Sequence, residues 1–311
     1  MLSQPVCKGV PFCKAVSLNA APAVLVAVGQ FRRPLQTGLA RACLGFLRSL
    51  ESAGYSAVRL VHRSMLELHQ FRHSAFCLKV RMVLQFKGLT YREIEVTPGL
   101  GQFAVFRLSG QRQVPVLVEG DEVVADSSAI SRYLERQQPD PALIPTDPQQ
   151  AAQAHLIEDW ADTTLARVAR TCLVQAATID PGLLMALLPG DVPEPVRQAM
   201  GAVPGGWLNG LTDVLSHGER AELLSSLEKI AELLETSQWL VGEAISLADL
   251  AVAAQLSLLR FPPSAGAELA GKGVPGLSDH PRLQPLFDWC EKLDLSLFPP
   301  VGSRSTTETA A

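Results

Sequence analysis

Gln113-Val114-Pro115-Val116-Leu117, followed at short range by Glu122-Val123-Val124-Ala125-Asp126-Ser127-Ser128-Ala129-Ile130, is the stretch on which the fold of this chain turns. A proline between apolar β-type residues cannot donate a ladder hydrogen bond. It belongs at a strand start or edge, either with a cis Val114-Pro115 bond or as an ordinary trans proline. A cis bond would turn the Val114 N–H and C=O outward, where a peptide ligand can pair with them as an added strand. Asp126-Ser127 opens an apolar-periodic helix, whose free N–H groups and macrodipole favour an anion. Taken singly, each half also fits a plain structural role, because Asp and Ser are favoured N-caps in any case.

Working outward, Leu66-Glu67-Leu68-His69-Gln70-Phe71 alternates as a half-buried strand. Residues 75–87 place Phe76, Val80, Val83 and Leu84 at helical spacing, and Lys87-Gly88 supplies a basic last turn and a glycine stop. Tyr91 to Val96 alternates again before the turn at Thr97-Pro98-Gly99, completing a βαβ unit. A short helix is expected over 103–108, then strands at 116–118 and 123–124 joined by Glu119-Gly120-Asp121, then a helix over 127–135. Ser74-Ala75-Phe76-Cys77 joins the first strand to the first helix. Its serine is placed to face the space before the strand ends, or simply to cap the helix, with Cys77 as a small buried hydrophobe.

Beyond the proline-rich segment 139–148, read as a linker, the strand signal disappears. Helices are expected over 151–176, 195–202 and 218–234. Ser246-Leu247-Ala248-Asp249 has the form of a capping box before a nearly all-apolar helix reaching Leu259, which belongs at the centre of a bundle. Pro281-Arg282-Leu283 opens a last helix containing Phe287 and Trp289. Residues 303–311 have the composition of a disordered tail.

Net charge is −4, unevenly distributed: residues 1–64 hold eight Lys or Arg against the single acid Glu51, and the remainder holds 19 basic and 30 acidic residues. An acidic body repels phosphate backbones, which argues against nucleic acid as a partner. The longest apolar run, Ala20 to Val28, falls far short of the ~20 residues a membrane span needs, so no membrane partner is expected. The first 64 residues have the composition of an organellar transit peptide; equally, Met65 begins the first convincing strand and reads as a true start. The six cysteines form neither a CxxC pair nor a Cys/His cluster of zinc type, so no metal is expected, and reduced thiols in a cytosol-like compartment fit them best.

The β-α-β-α-β-β-α order, Val-Pro before the third strand, acid-Ser before the third helix and an all-helical remainder together resemble the glutathione transferase superfamily. The resemblance covers about residues 65–300. It implies an α/β thioredoxin-like glutathione-binding domain over 65–138, a linker, and an all-α helical domain over 149–300. Trp239 to Asp249 resembles that family's folding signature. Glutathione is then implied as co-substrate and a small apolar electrophile as the second substrate, with a homodimer and a role in detoxification. Val114, before Pro115, would bind the cysteinyl segment through its backbone, and Asp126 and Ser127 would hold the γ-glutamyl end. Ser74 would contact the sulfur, as in serine-type transferases of the theta and zeta kind.

Within that resemblance lies a second one. Residues 109–115 resemble the glutaredoxin loop before its cis proline. Ser74-Ala75-Phe76-Cys77 resembles the glutaredoxin Cys-Pro-aromatic-Cys with its first cysteine replaced, and a serine there cannot form the mixed disulfide of redox exchange. Ala75 and Asp126 depart from the commoner Pro and Glu. The implied mechanism is thiolate activation. Depressing a thiol from ~8.5 by ~2 units requires about 2.7 kcal/mol, more than one neutral hydrogen bond gives, so Ser74 would need help from helix N–H groups. Trp160 either lines the second-substrate pocket or is a core tryptophan. A silent glutathione-binding scaffold and a thiol reductase or isomerase using Cys77 are the competing classes.

Overall fold

The computed structural model describes residues 65–97, 101–188 and 217–300. The extension 1–64, the turn at 98–99, the helix expected over 195–202 and the tail 303–311 lie outside these.

The β1 strand, Leu66–Gln70, alternates as its sequence does, burying Leu66, Leu68 and Gln70. Helix α1, Ala75–Phe86, is capped by Ser74 and ends on Lys87. Strand β2 is Tyr91–Glu95, and helix α2, Gly101–Ser109, begins two residues earlier than expected. Gly101 is required there because a Cβ would stand 2.8 Å from Val96 Cγ1. Strands β3, Val116–Glu119, and β4, Glu122–Ala125, form the hairpin, with Gly120 taking the left-handed φ of 63° that its turn needs. Helix α3 is Ser127–Gln137.

The strand order is β2-β1-β3-β4, with β1 parallel to β2 and antiparallel to β3. Alternation sends neighbours to opposite faces. Leu117 and Val124 join the cluster under α1 and α3, while Val116, Val123 and Ala125 join a smaller one with Val105 of α2.

Helix α4, Pro148–Trp160, starts at the tolerated first-turn proline with Asp147 as its cap, so the linker ends at Asp147. The single helix expected over 151–176 is broken: a π turn, Ala161–Leu165, separates α4 from α5, Ala166–Ile179. Helix α6 is Pro181–Leu187 and α7 is His217–Thr236. Helix α8, Leu247–Leu256, is buried at every residue and packs on α1, α4 and the π turn, so it joins the helical region to the sheet region. A 3-10 turn at Pro281–Leu283 leads into α9, Gln284–Leu297.

The expected cap at the start of α8 is present. Asp249, fully buried, accepts the Ser246 N–H at 2.8 Å and hydroxyl at 2.7 Å, and the Leu240 N–H at 2.8 Å. Burial raises its carboxyl above the usual range, and these donors offset part of that. Lys87, the basic residue that closes α1, is buried. Its ammonium binds Gln138 and Pro141 carbonyls at 2.7 and 2.8 Å and the Glu135 carboxylate, tying α1 to the segment after α3. Among the described residues no helix is long and apolar enough to cross a membrane.

Candidate functional site

The sheet register brings the sequence motifs to one end of the sheet. Gln70 lies opposite Glu95, His69 opposite Val116, and Val116 opposite Ala125. The ends of β1, β2 and β4 and the start of β3 therefore form adjacent rows. The segments at that end carry Ser74, Val96, Val114-Pro115 and Asp126-Ser127. A cavity of about 550 Å³ opens there, lined by Ser74, Phe76, Val114, Arg112 and Arg170 among others.

Ser74 stands half-buried with extended backbone (ψ 123°), and its Oγ accepts the Cys77 N–H at 3.4 Å. The Ser74 side chain also bonds the side chain of Cys77. Two residues into the helix lies Cys77, which is fully buried. Its Sγ accepts the Phe71 N–H at 3.4 Å, and burial pushes its thiol up despite that bond and the one to Ser74. Burial makes Cys77 less readily ionised than a free thiol.

Val114-Pro115 is cis, and Val114 lines the cavity while Pro115 is buried beneath it. Asp126 has φ 81°, the one left-handed non-glycine among the described residues, a conformation costing on the order of 1–3 kcal/mol. Its Oδ1 accepts the Ser128 and Ala129 N–H groups, both at 3.0 Å. One oxygen of Asp126 thus caps α3, as the plain N-cap reading of the Asp-Ser pair has it, and its other oxygen makes neither of these bonds. Ser127 is buried at the head of α3, and its carbonyl accepts the Ser131 hydroxyl at 2.8 Å. Neither Asp126 nor Ser127 is part of the cavity wall that Ser74 and Val114 share.

Trp160 packs half-buried against the helical core, with no place in the cavity wall. A π turn follows Trp160, and its extra residue rotates the rest of the helix beyond it by about 100° relative to an unbroken one. Arg170, beyond that turn, reaches the cavity, and its guanidinium stands 5.9 Å from the Phe76 ring. His73 is half-buried against Phe71 and lines a neighbouring cavity. Burial, with Arg72 and Arg81 nearby, lowers its pKa.

Beneath the head of α3 lies a charged cluster that sequence reasoning missed. Lys79 of α1 is fully buried, its ammonium 2.6 Å from Glu158, 2.6 Å from Asp162 and 3.0 Å from Ser128 Oγ, which in turn donates to Asp162 at 2.9 Å. Burial pushes the Glu158 carboxyl up, but Lys79, Ser128 and His155 outweigh it and hold it below the usual range. Residues from α1, α3, α4 and the π turn thus lock the two helix heads that present Ser74 and Ser127. Lys79 falls on the α1 face that the apolar spacing assigns to the core, and that conflict was the available signal.

The class this fold and site define is a thioredoxin-like sheet region joined to a helical bundle, with a hydroxyl, an exposed loop backbone and a helix head converging at one sheet end. Residues 68–142 match the family description "Glutathione S-transferase, N-terminal domain" and residues 195–291 match "Glutathione S-transferase, C-terminal domain", together more than half of the chain. The chain belongs to the glutathione S-transferase superfamily. It is 39% identical over 90 residues to glutathione S-transferase 1 of Dianthus caryophyllus, covering 28% of this chain and 41% of that protein. It is 26% identical over 198 residues to FtsZ-localized protein A of Caulobacter vibrioides, covering 62% and 77%. The chain thus spans about two fifths of the transferase relative's length. A glutathione S-transferase from Rhodospirillum rubrum F11 shares the fold, with a TM-score of 0.54 at 24% identity over 79% of this chain and 94% of that one.

Proposed function

We propose that this protein is a glutathione transferase in which Ser74 donates its hydroxyl hydrogen bond to the glutathione thiolate. The observation that carries the proposal is the convergence of Ser74, Val114 and the head of α3 at one sheet end, beside a cavity large enough for a small substrate. The Val114 backbone pairs with the cysteinyl segment. The Ser127 hydroxyl and N–H hold the γ-glutamyl carboxylate, and the second Asp126 oxygen takes the ammonium. The Ser74 hydroxyl donates to the sulfur, and the start of α1 adds its dipole. The thiolate attacks an electrophilic carbon of a small second substrate in the cavity.

Calorimetric titration with glutathione, followed by turnover of activated aryl chlorides, tests this. Glutathione binding with conjugation is expected; absence of binding contradicts the proposal.

A second reading is a catalytically silent glutathione-binding scaffold, since a shared fold does not fix function. Glutathione retention without turnover over a broad electrophile panel selects it.

A further inference from the structure

We propose that Arg81 and Glu95 are positioning residues that hold the loop between β1 and α1, and through it hold Ser74 in place for the glutathione sulfur. The proposal rests on the glutathione reading above and deepens it. The loop, Phe71 to His73, carries the chain from the end of β1 to the Ser74 cap. Its Phe71 carbonyl accepts the Ser74 N–H at 3.0 Å, a local turn. Arg72, at its centre, is tied on both sides of its backbone by side chains from other elements. Its N–H donates to Glu95 Oε1 at 2.8 Å, and its carbonyl accepts Arg81 Nη2 at 3.0 Å. Both are hydrogen bonds to a charged group, the stronger kind.

The fold brings these two side chains to the loop for simple reasons. Arg81 lies on α1, where side chains lean toward the helix N-terminus and so back toward the loop. Glu95 ends β2 opposite Gln70 in the parallel register, beside the last residue before the loop, and Glu93 shares its face. The buried Gln70 amide joins the set: its Nε2 donates to Glu93 at 2.8 Å and to Glu95 at 3.4 Å, and its Oε1 accepts Arg81 Nη1 at 3.2 Å. Arg81 and Glu95 are thus oriented by a shared partner as well as by Arg72. Neither side chain lines the cavity onto which Ser74 opens, so their action on the sulfur passes through the loop. The Lys79 cluster fixes α1 itself, whereas this pair fixes the chain that leads into it.

The test reads the ratio of thiolate to thiol in bound glutathione, from its ultraviolet absorbance in protein saturated with the tripeptide at neutral pH. Arg81→Met removes a cation and Glu95→Ala an anion, so a direct effect of charge on the sulfur moves the ratio in opposite directions. A loosened Ser74 hydroxyl moves it the same way in both. Each variant is expected to lower the ratio about 3- to 10-fold, a part of what the hydroxyl supplies. In a Ser74→Ala background the same substitutions should change it less than about twofold, because no hydroxyl remains to be positioned, whereas a general loss of packing would persist there. Glu95 is exposed on the edge strand, so its variant decides the matter should Arg81→Met fail to fold. Arg92→Met takes a cation from the same strand, but its partner is Glu67 and not the loop, and it should leave the ratio unchanged. Opposite shifts, no shift, or shifts of full size in the Ser74→Ala background overturn the proposal. Glutathione bound by the wild type without any thiolate overturns it too, while the binding part of the glutathione reading stands. If glutathione fails to bind the wild type, the glutathione reading falls, and the proposal with it.

Discussion

The two faces of the sheet are held very differently. Toward α1 and α3, Leu66, Leu68, Leu117, Ile130 and Leu134 are buried in a cluster that continues into α8 and α9. Toward α2, the buried set is Val96, Val105 and Val116, and Phe103 and Phe106 of α2 are left 65% and 48% exposed. The helix heads that present Ser74 and Ser127 belong to the heavily packed face and are further locked by Lys79. Arg112 and Val114, on the loop after α2, belong to the lightly packed one. The heads of α1 and α3 therefore stand on rigid support, and the loop that carries Arg112 and Val114 is the part freer to adapt.

The largest expected effect breaks the rigid side. Lys79→Met leaves the Glu158 and Asp162 carboxylates buried together without their cation, and urea denaturation should show a loss of about 3–5 kcal/mol. Acid titration sharpens the same point. The Glu158 carboxyl is depressed in the fold, so its contribution is present above the unfolded value and lost as pH falls through the folded one. Removing Lys79 should flatten that acid limb. Asp249, raised by burial, acts with the opposite sign, its contribution fading as pH rises through the folded value. The wild-type curve therefore reports a balance, and the difference between wild type and Lys79→Met isolates the cluster.

Smaller effects contrast the two faces directly. Leu250→Ala in α8, at a fully buried position, should cost about 2–5 kcal/mol, and Val105→Ala in α2 about 1–2 kcal/mol from its two lost methyl groups. Hydrogen exchange should find α2 amides opening before those of α1 and α3; equal protection would remove the distinction between the faces. Smallest in stability is Asp126→Asn, which keeps a capping oxygen and so should change stability by about 0.5 kcal/mol or less. It should weaken glutathione several-fold in calorimetry by removing the charge that faces the ammonium.

Strand alternation, the glycine and proline punctuation and the Ser246 cap made the fold legible in the sequence, because each is local. Ser74, Val114 and Asp126 were legible for the same reason: each sits at an element boundary that its own residue type marks. Features set by three-dimensional neighbours were not. Lys79 lies on the α1 core face, where side-chain spacing alone predicts an apolar residue, and its partners lie 79 and 83 residues away. The π turn has no composition signal, so the sequence reads as one unbroken helix over 151–176 and does not single out Arg170. The Asp126 carboxylate reads equally well as a cap or as a ligand group, and its geometry makes one oxygen a cap.

Ser74→Ala, assayed against Cys77→Ala with an activated aryl chloride and glutathione, tests the central claim most directly. Loss of a hydrogen bond to a charged sulfur, worth about 1.5–3 kcal/mol, should lower kcat/KM by roughly 10- to 100-fold in the serine variant. Activity per folded molecule should be little changed in the cysteine variant. Undiminished conjugation by Ser74→Ala, or its abolition by Cys77→Ala, would contradict the account.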